Sequence, residues 1–279
     1  MSDKPLSSNL DPSDSEAVVR TVRERYAGIA TAGSSCCGGG TCGDTAEAVA
    51  TNLGYASVDL NLLPGGANLG LGCCAPLQHL NLEEGEAFLD LGSGAGIDAL
   101  IAARQVGPAG RVIGVDMTPV MLAKARENAA GHDNVEFREG RLEALPIDDA
   151  SVDAVTSNCV INLVPDKAVV FHEIARVLKP GGRMVISDVI LDGALPEAVS
   201  NDVLAYVGCV AGAEKRESYF QKLADAGLTD LEIIKDVDFL EMTEKAAPAE
   251  VLAIMESAGI SKDDVTGIVR SVTYRARKA

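Results

Sequence analysis

The sequence predicts an α/β fold built on a mostly parallel sheet, and three observations predict it. A short apolar run, Phe88-Leu89-Asp90-Leu91, ends in glycines at alternate positions, Gly92, Gly94 and Gly96, and Asp98-Ala99-Leu100-Ile101 then opens a helix. A second apolar run, Arg111-Val112-Ile113-Gly114-Val115, ends in an acid, Asp116, about 20 positions after Gly96. Strand-like and helix-like patterns then alternate, which implies parallel strands joined by right-handed crossovers. Ligands of such sheets sit at the carboxyl ends of the strands. Asp90, Asp116 and Asn158 all fall there.

Taken in order, residues 1–14 are polar and rich in Ser, Asp and Pro, the composition of a disordered terminus. A helix is expected from Glu16, because Val18, Val22 and Tyr26 recur every four residues and form one apolar face. Ser34 to Gly43 is rich in Gly and Cys, lacks periodicity and reads as a loop. Asp44 to Asn52 reads as a short helix, and Leu62 to Pro76 as loop ending in vicinal thiols, Cys73-Cys74. Asn68, Leu69 and Gly70 are placed to cover a ligand from above. Strands are expected near 87–91, 111–115, 134–138, 152–158 and 182–188, and helices near 97–106, 119–130 and 167–179. Lys179-Pro180-Gly181-Gly182 is a helix stop: a cation in the last turn, then Pro and Gly. Beyond it, Pro196 to Gly212 reads as a helix with Cys209 near its end, and Glu217 to Ala226 as another, stopped by Gly227. Asp230–Ile234 and Ser271–Arg275 alternate like strands, with a last helix over 248–258. The chain divides into a terminus (1–14), a helix and Cys-rich cap (15–80), a ligand-binding core (81–190) and a C-terminal lid with the remaining strands (191–279).

Composition narrows the function classes. A net charge of −17 over 279 residues repels nucleic acid and anionic membrane surfaces, so neither is an expected partner. No stretch approaches the roughly 20 apolar residues of a membrane span. The polar start, Met1 to Pro12, lacks a signal-peptide core, so a cytoplasmic protein is expected. Seven cysteines in a reducing compartment read as ligands, nucleophiles or core residues rather than staples.

The glycine spacing does not suit a dinucleotide, whose pyrophosphate wants Gly-x-Gly-x-x-Gly; here Ile97 stands where the last glycine belongs. Asp90 ahead of the loop repels phosphate and suits an ammonium. With Asp90-x-Gly92-x-Gly94-x-Gly96 and Asp116, the chain resembles the S-adenosylmethionine-dependent methyltransferases. That resemblance implies a Rossmann-like class I methyltransferase sheet, its parallel strands completed by an antiparallel C-terminal hairpin. It also implies S-adenosylmethionine as cofactor. Asp90, Gly92, Gly94 and Gly96 would take the methionine end, Asp116 the ribose, and Met117, Leu142 and Glu143 the adenine, with Asn158 beside them.

Cys159 follows Asn158 at the tip of the fourth strand, where a methyl acceptor sits in that fold. Cys73, on the loop entering the core, and Cys209, on the lid, can reach the same mouth. Three thiolates from three segments suit a soft, three-coordinate centre such as trivalent arsenic. The segments Ala67–Cys73, Ser157-Asn158-Cys159-Val160-Ile161-Asn162-Leu163 and Gly208-Cys209-Val210-Ala211-Gly212-Ala213 resemble the arsenite S-adenosylmethionine methyltransferases. The resemblance implies Cys73, Cys159 and Cys209 as As(III) ligands, arsenite and methylated arsenicals as substrate and products, and thioredoxin or glutathione as reductant. It also implies an N-terminal cysteine in a disulfide relay, one of Cys36, Cys37 or Cys42, with Cys36 preferred. The family more often has Gly-Asn-Pro after the first ligand. Here Cys74-Ala75-Pro76 stands there, so Cys74 can replace Cys73 or act as a resolving thiol. Three competing readings are a methyltransferase of an organic molecule such as a quinone, a thiol protein that binds arsenic without methylating it, and a nicotinamide oxidoreductase.

Overall fold

The computed structural model describes residues 14–32, 46–200, 205, 209–246, 255–256 and 259–279. Its strands are β1 (Ala87–Leu91), β2 (Arg111–Asp116), β3 (Val135–Glu139), β4 (Val152–Asn158), β5 (Leu178–Leu191), β6 (Leu228–Asp238) and β7 (Val269–Lys278). They form one sheet in the order β3-β2-β1-β4-β5-β7-β6. β1 to β5 pair in parallel, and β7 runs antiparallel between β5 and β6. The chain leaves β1 toward β2 and β3 on one side and returns to β4 on the other. This reversal opens a crevice at the carboxyl ends of β1 and β4.

Side chains alternate across each central strand and divide between two cores. Phe88 and Val112 pack on one face with Ala99, Ala102 and Val106, while Leu89, Leu91, Ile113 and Val115 pack on the other with Phe171 and Ile174. Burial on both faces explains why β1 and β2 read as continuous apolar runs. The helices in chain order are α1 (Ser15–Ala32), α2 (Ala46–Leu53), α3 (Ser57–Leu60), α4 (Ile97–Val106), α5 (Pro119–Asn128), α6 (Lys167–Val177), α7 (Glu197–Ser200), α8 (Arg216–Asp225) and α9 (Phe239–Ala246). α5 opens on Pro119, whose missing N–H costs nothing at a first helical position. α6 is capped by Asp166, whose carboxylate accepts from the Ala168 and Val169 N–H groups. Val18 and Val22 of α1 pack in a third cluster with Cys73, Cys159 and Cys209, so the N-terminal helix roofs the strand ends.

Several expectations shift. α6 ends at Val177 rather than 179, because Pro180 keeps the preceding backbone extended and Leu178 already begins β5. α5 stops at Asn128 rather than 130. The expected helix over 196–212 does not reach Gly212, since Cys209 to Gly212 are turn and bend. Only Glu197–Ser200 and Ala205 are helical among its described residues. Val210 N and Ala211 N both donate to Ala205 O, at 2.8 and 3.0 Å, and Cys209 adopts φ +67°. That is a helix end closed through a left-handed residue. The C-terminal strands pair antiparallel as expected, but α9, which sequence periodicity did not suggest, lies on the connection between them. Of the helix expected over 248–258, only Met255 and Glu256 are described, and both are helical; residues 1–13 and the loop 34–43 lie outside the described residues.

Gly114 on β2 has no room for a side chain. A Cβ there would lie 2.5 Å from the Phe137 ring and 2.7 Å from Ser93 Oγ. Gly114→Ala should destabilise the protein by about 1–3 kcal/mol through overpacking. Urea denaturation should show a lower midpoint with an unchanged slope.

Candidate active site

Every functional side chain hangs on the end of a parallel strand or on a loop folded over it. At the end of β1 the chain must turn sharply beneath Val160. Gly92 has φ +69°, and a Cβ on it would lie 2.5 Å from the Val160 side chain, so only glycine fits. Asp90 is 3% exposed. Burial, then the charges of Asp98 and Asp116, push its pKa well above the usual carboxylate range. Asp98, in the first turn of α4, is equally buried, and burial raises its pKa to about 7 against a hydrogen bond from Tyr55. Tyr55 Oη donates to Asp98 Oδ2 at 3.1 Å, and Asp98 Oδ1 has no partner. Two buried acids, one with an orphaned oxygen and neither shifted by a cation among the described residues, make this end of the cleft receptive to positive charge.

Asp116 ends β2. Its Oδ2 accepts from Gly94 N at 2.9 Å and its Oδ1 from Thr118 N at 2.8 Å. The Thr118 side chain and the Met117 N–H also act on this carboxylate, which stands at a strand end where a diol can approach. Met117, Leu142 and Glu143 line the same cavity of about 240 Å³. Glu143 accepts from Arg141 Nη2 at 2.7 Å, and Arg141 Nη1 reaches Glu16 of α1 at 3.0 Å. The roofing helix is thereby tied to this loop. Gly96 does not line the cavity but caps α4 in a left-handed conformation.

Cys73, Cys159 and Cys209 line this cavity together with Asp90, Asp116 and Asn158. All three are free and buried. Cys209 Sγ donates to Cys159 O at 2.7 Å. Cys159, just past β4, has φ +62° and donates its N–H to Ser187 O at 2.8 Å. Asn158 lines the cavity, yet its amide bonds to Tyr55 and to the Cys73–Cys74 backbone. Cys74 is buried outside the cavity, its sulfur 3.9 Å from Ser271 Oγ. Cys36, Cys37 and Cys42 lie outside the described residues. Among the described residues, no three His, Cys, Asp or Glu side chains are drawn together as a metal cage. Cys209 Sγ bonds to the Cys159 carbonyl instead, and Cys73 Sγ points at Asn158 Oδ1 from 3.8 Å.

A methyltransferase-domain family model matches residues 82–258. An arsenite methyltransferase from Halobacterium salinarum is 49% identical over 232 residues, covering 79% of this chain and 59% of that protein. The crystal structure of an arsenic(III) S-adenosylmethionine methyltransferase from Chlamydomonas reinhardtii superposes with a TM-score of 0.60 at 32% identity, covering 84% of this chain and 73% of that one. The chain belongs to the arsenite methyltransferase family of class I S-adenosylmethionine methyltransferases. A demethylmenaquinone methyltransferase from Lactococcus lactis is 43% identical, but over only 36% of the chain. The chain spans 59% and 50% of the length of the Halobacterium and Aquipseudomonas alcaligenes arsenite methyltransferases it matches.

The cofactor of these methyltransferases fits the cleft. That cofactor carries an ammonium, which suits the buried pair Asp90 and Asp98, and a ribose diol, which suits the carboxylate of Asp116. Sequence reading missed Asp98 and Tyr55. Asp98 looked like an ordinary helix-start acid, and no local pattern links Tyr55 to a site 43 residues on. A third buried acid, Asp188 on β5, accepts from Asn162 Nδ2 at 2.8 Å and Tyr219 Oη at 2.9 Å. Lys167 lies near it, its pKa lowered by burial and raised in part by Glu214 and Asp188.

Hydrogen bonds to Cys209 and Cys73, then burial, push the Cys159 thiol well above its ordinary value of 9.0. For Cys73, the bond with Cys159 lowers the pKa, but burial and neighbouring charges outweigh it. Both remain thiols at neutral pH. Their alkylation by a small neutral reagent, followed by mass spectrometry, should still accelerate above pH 9.0, where an unfolded control has begun to level. Burial raises Asp188 from 3.8 to about 7, so the folded state binds the extra proton between those values. Its contribution is whole below pH 3.8 and is lost as pH rises through about 7. Asp188→Asn should flatten the decline of unfolding free energy across that window.

Proposed function

We propose that this protein methylates trivalent arsenic, presented as arsenite or its thiol adduct, with S-adenosylmethionine as methyl donor. One observation carries the reading: thiols from three separate segments, Cys73, Cys159 and Cys209, line the cavity that holds the Asp90 and Asp116 carboxylates. Similarity to arsenite methyltransferases supports it. Asp90, Asp98 and the turn from Gly92 to Ala95 would hold the methionine end, Asp116 the ribose, and Met117, Leu142 and Glu143 the adenine. S-adenosylmethionine bound there would supply a methyl group activated on a sulfonium.

The chain's own contribution is ligation, charge control and placement. Each cysteine reacts as its thiolate, and its proton passes to the departing hydroxide or thiolate. Three As–S bonds therefore form without three buried negative charges accumulating. No general base is required, because the arsenic lone pair carries no proton. Alignment in a shared cavity can remove about 7–11 kcal/mol of barrier. Methylation formally takes two electrons from arsenic, and two cysteines can return them by joining as a disulfide. Thioredoxin or glutathione would then reduce that bond. An N-terminal cysteine, Cys36 for preference, would serve this relay.

Purified protein with S-adenosylmethionine, arsenite and a thiol should yield methylated arsenicals by chromatographic speciation. Their absence would end the reading. Cys159→Ser and Cys209→Ser should each abolish methylation while retaining cofactor binding. An enzyme acting on an organic acceptor would keep its activity in both. Asp116→Ala should weaken S-adenosylhomocysteine binding by about 1.5–3 kcal/mol, the worth of hydrogen bonds to a charged group, as titration calorimetry would show.

A further inference from the structure

Asn158 is the last residue of β4 and the immediate neighbour of Cys159. Its amide Oδ1 accepts from Cys73 N at 3.1 Å and Cys74 N at 3.4 Å. Its Nδ2 donates to Cys74 O at 2.6 Å and Tyr55 Oη at 3.1 Å. A carboxamide has two acceptor positions and two donors, and all are engaged by the chain. Two N–H groups face one side and a carbonyl with a hydroxyl face the other, which fixes the amide's orientation. The loop is also shaped around it. Gly72 has φ +106°, and a Cβ there would sit 2.7 Å from Asn158 Nδ2. Tyr55 braces the far side on Asp98. The other side-chain hold on the Cys73 backbone is a long one, Ser271 Oγ to Cys73 O at 3.5 Å.

A residue with no hydrogen-bonding capacity to spare is poorly suited to gripping a cofactor. We propose that Asn158 is a positioning residue that acts through Cys73: its amide pins the 72–74 loop to the tip of β4, so that Cys73 and Cys159 meet one arsenic atom as adjoining ligands. This rests on the arsenic reading above. It makes the third sulfur a property of a side-chain staple, since no backbone ladder holds that loop to β4.

The test uses the full chain and arsenite alone, read by arsenic X-ray absorption and by titration. Wild type should show three sulfurs on arsenic. Asn158→Ala should show two, as Cys73→Ser does, with affinity lowered about 10–100-fold, the usual effect of losing a group that orients a ligand. In the Cys73→Ser background, Asn158→Ala should cost nothing further. S-adenosylhomocysteine should bind Asn158→Ala as it binds wild type. Three sulfurs and full affinity in Asn158→Ala, additive losses in the double variant, or a loss of cofactor binding would each overturn the proposal. Wild type lacking three-sulfur arsenic would overturn the arsenic reading itself. If Asn158→Ala does not fold, Gly72→Ala pushes the loop from the same contact and should give the same two-sulfur state.

Discussion

Two of the three cavity thiols stand on left-handed backbone, Cys159 at φ +62° and Cys209 at φ +67°. Such a conformation costs a non-glycine residue about 1–3 kcal/mol and persists only where the surroundings enforce it. At Cys159 the enforcement is a hydrogen bond to Ser187 O on the neighbouring strand; at Cys209 it is the closure of a helix end on Ala205. In each case glycine would be the relaxed choice and cysteine is present. Both residues line the crevice. The third thiol, Cys73, has ordinary backbone and is held from outside, by the Asn158 amide.

Electrostatics in the crevice follow the same logic of incompleteness. Asp90 and Asp98 are buried together without a counter-cation among the described residues, and Asp98 keeps an orphaned oxygen. A cleft of this kind is costly empty and is relieved by a cationic ligand. The thiols sit on its other side. Hydrogen bonds and burial keep Cys159 protonated, so its sulfur adds no negative charge beside the acids. One hydrogen-bond chain, Asp98–Tyr55–Asn158–Cys73, runs from the carboxylate end of the crevice to the sulfur end.

Much of this was legible in the chain itself. α4 falls on the expected residues, because Gly96 and Gly107 bracket an apolar run. β1, read from its short apolar run, and β4 also fall on the expected residues. Reading failed where local pattern is not the deciding force. The stretch 196–212 looks helical by periodicity, yet the left-handed Cys209 ends the helix before Gly212. α9 is only eight residues long, too short for its periodicity to stand out from the loop around it. Asp98 and Tyr55 are unremarkable in sequence and matter because the fold brings them within 3.1 Å of each other.

The sequence by itself determined the parallel sheet, the glycine turn, the acid at the end of β2 and the identity of the three segments that bear thiols. These depend on short-range spacing, which hydrophobic periodicity and backbone sterics record directly. Tertiary structure alone decided which sulfurs share a cavity, why Cys73 and not Cys74 faces it, and what holds that loop in place. Those outcomes depend on contacts between residues 85 positions apart, from Cys73 to Asn158, and 198 apart, from Cys73 to Ser271. No local pattern carries such a contact; it exists only once the sheet has brought the strand ends together.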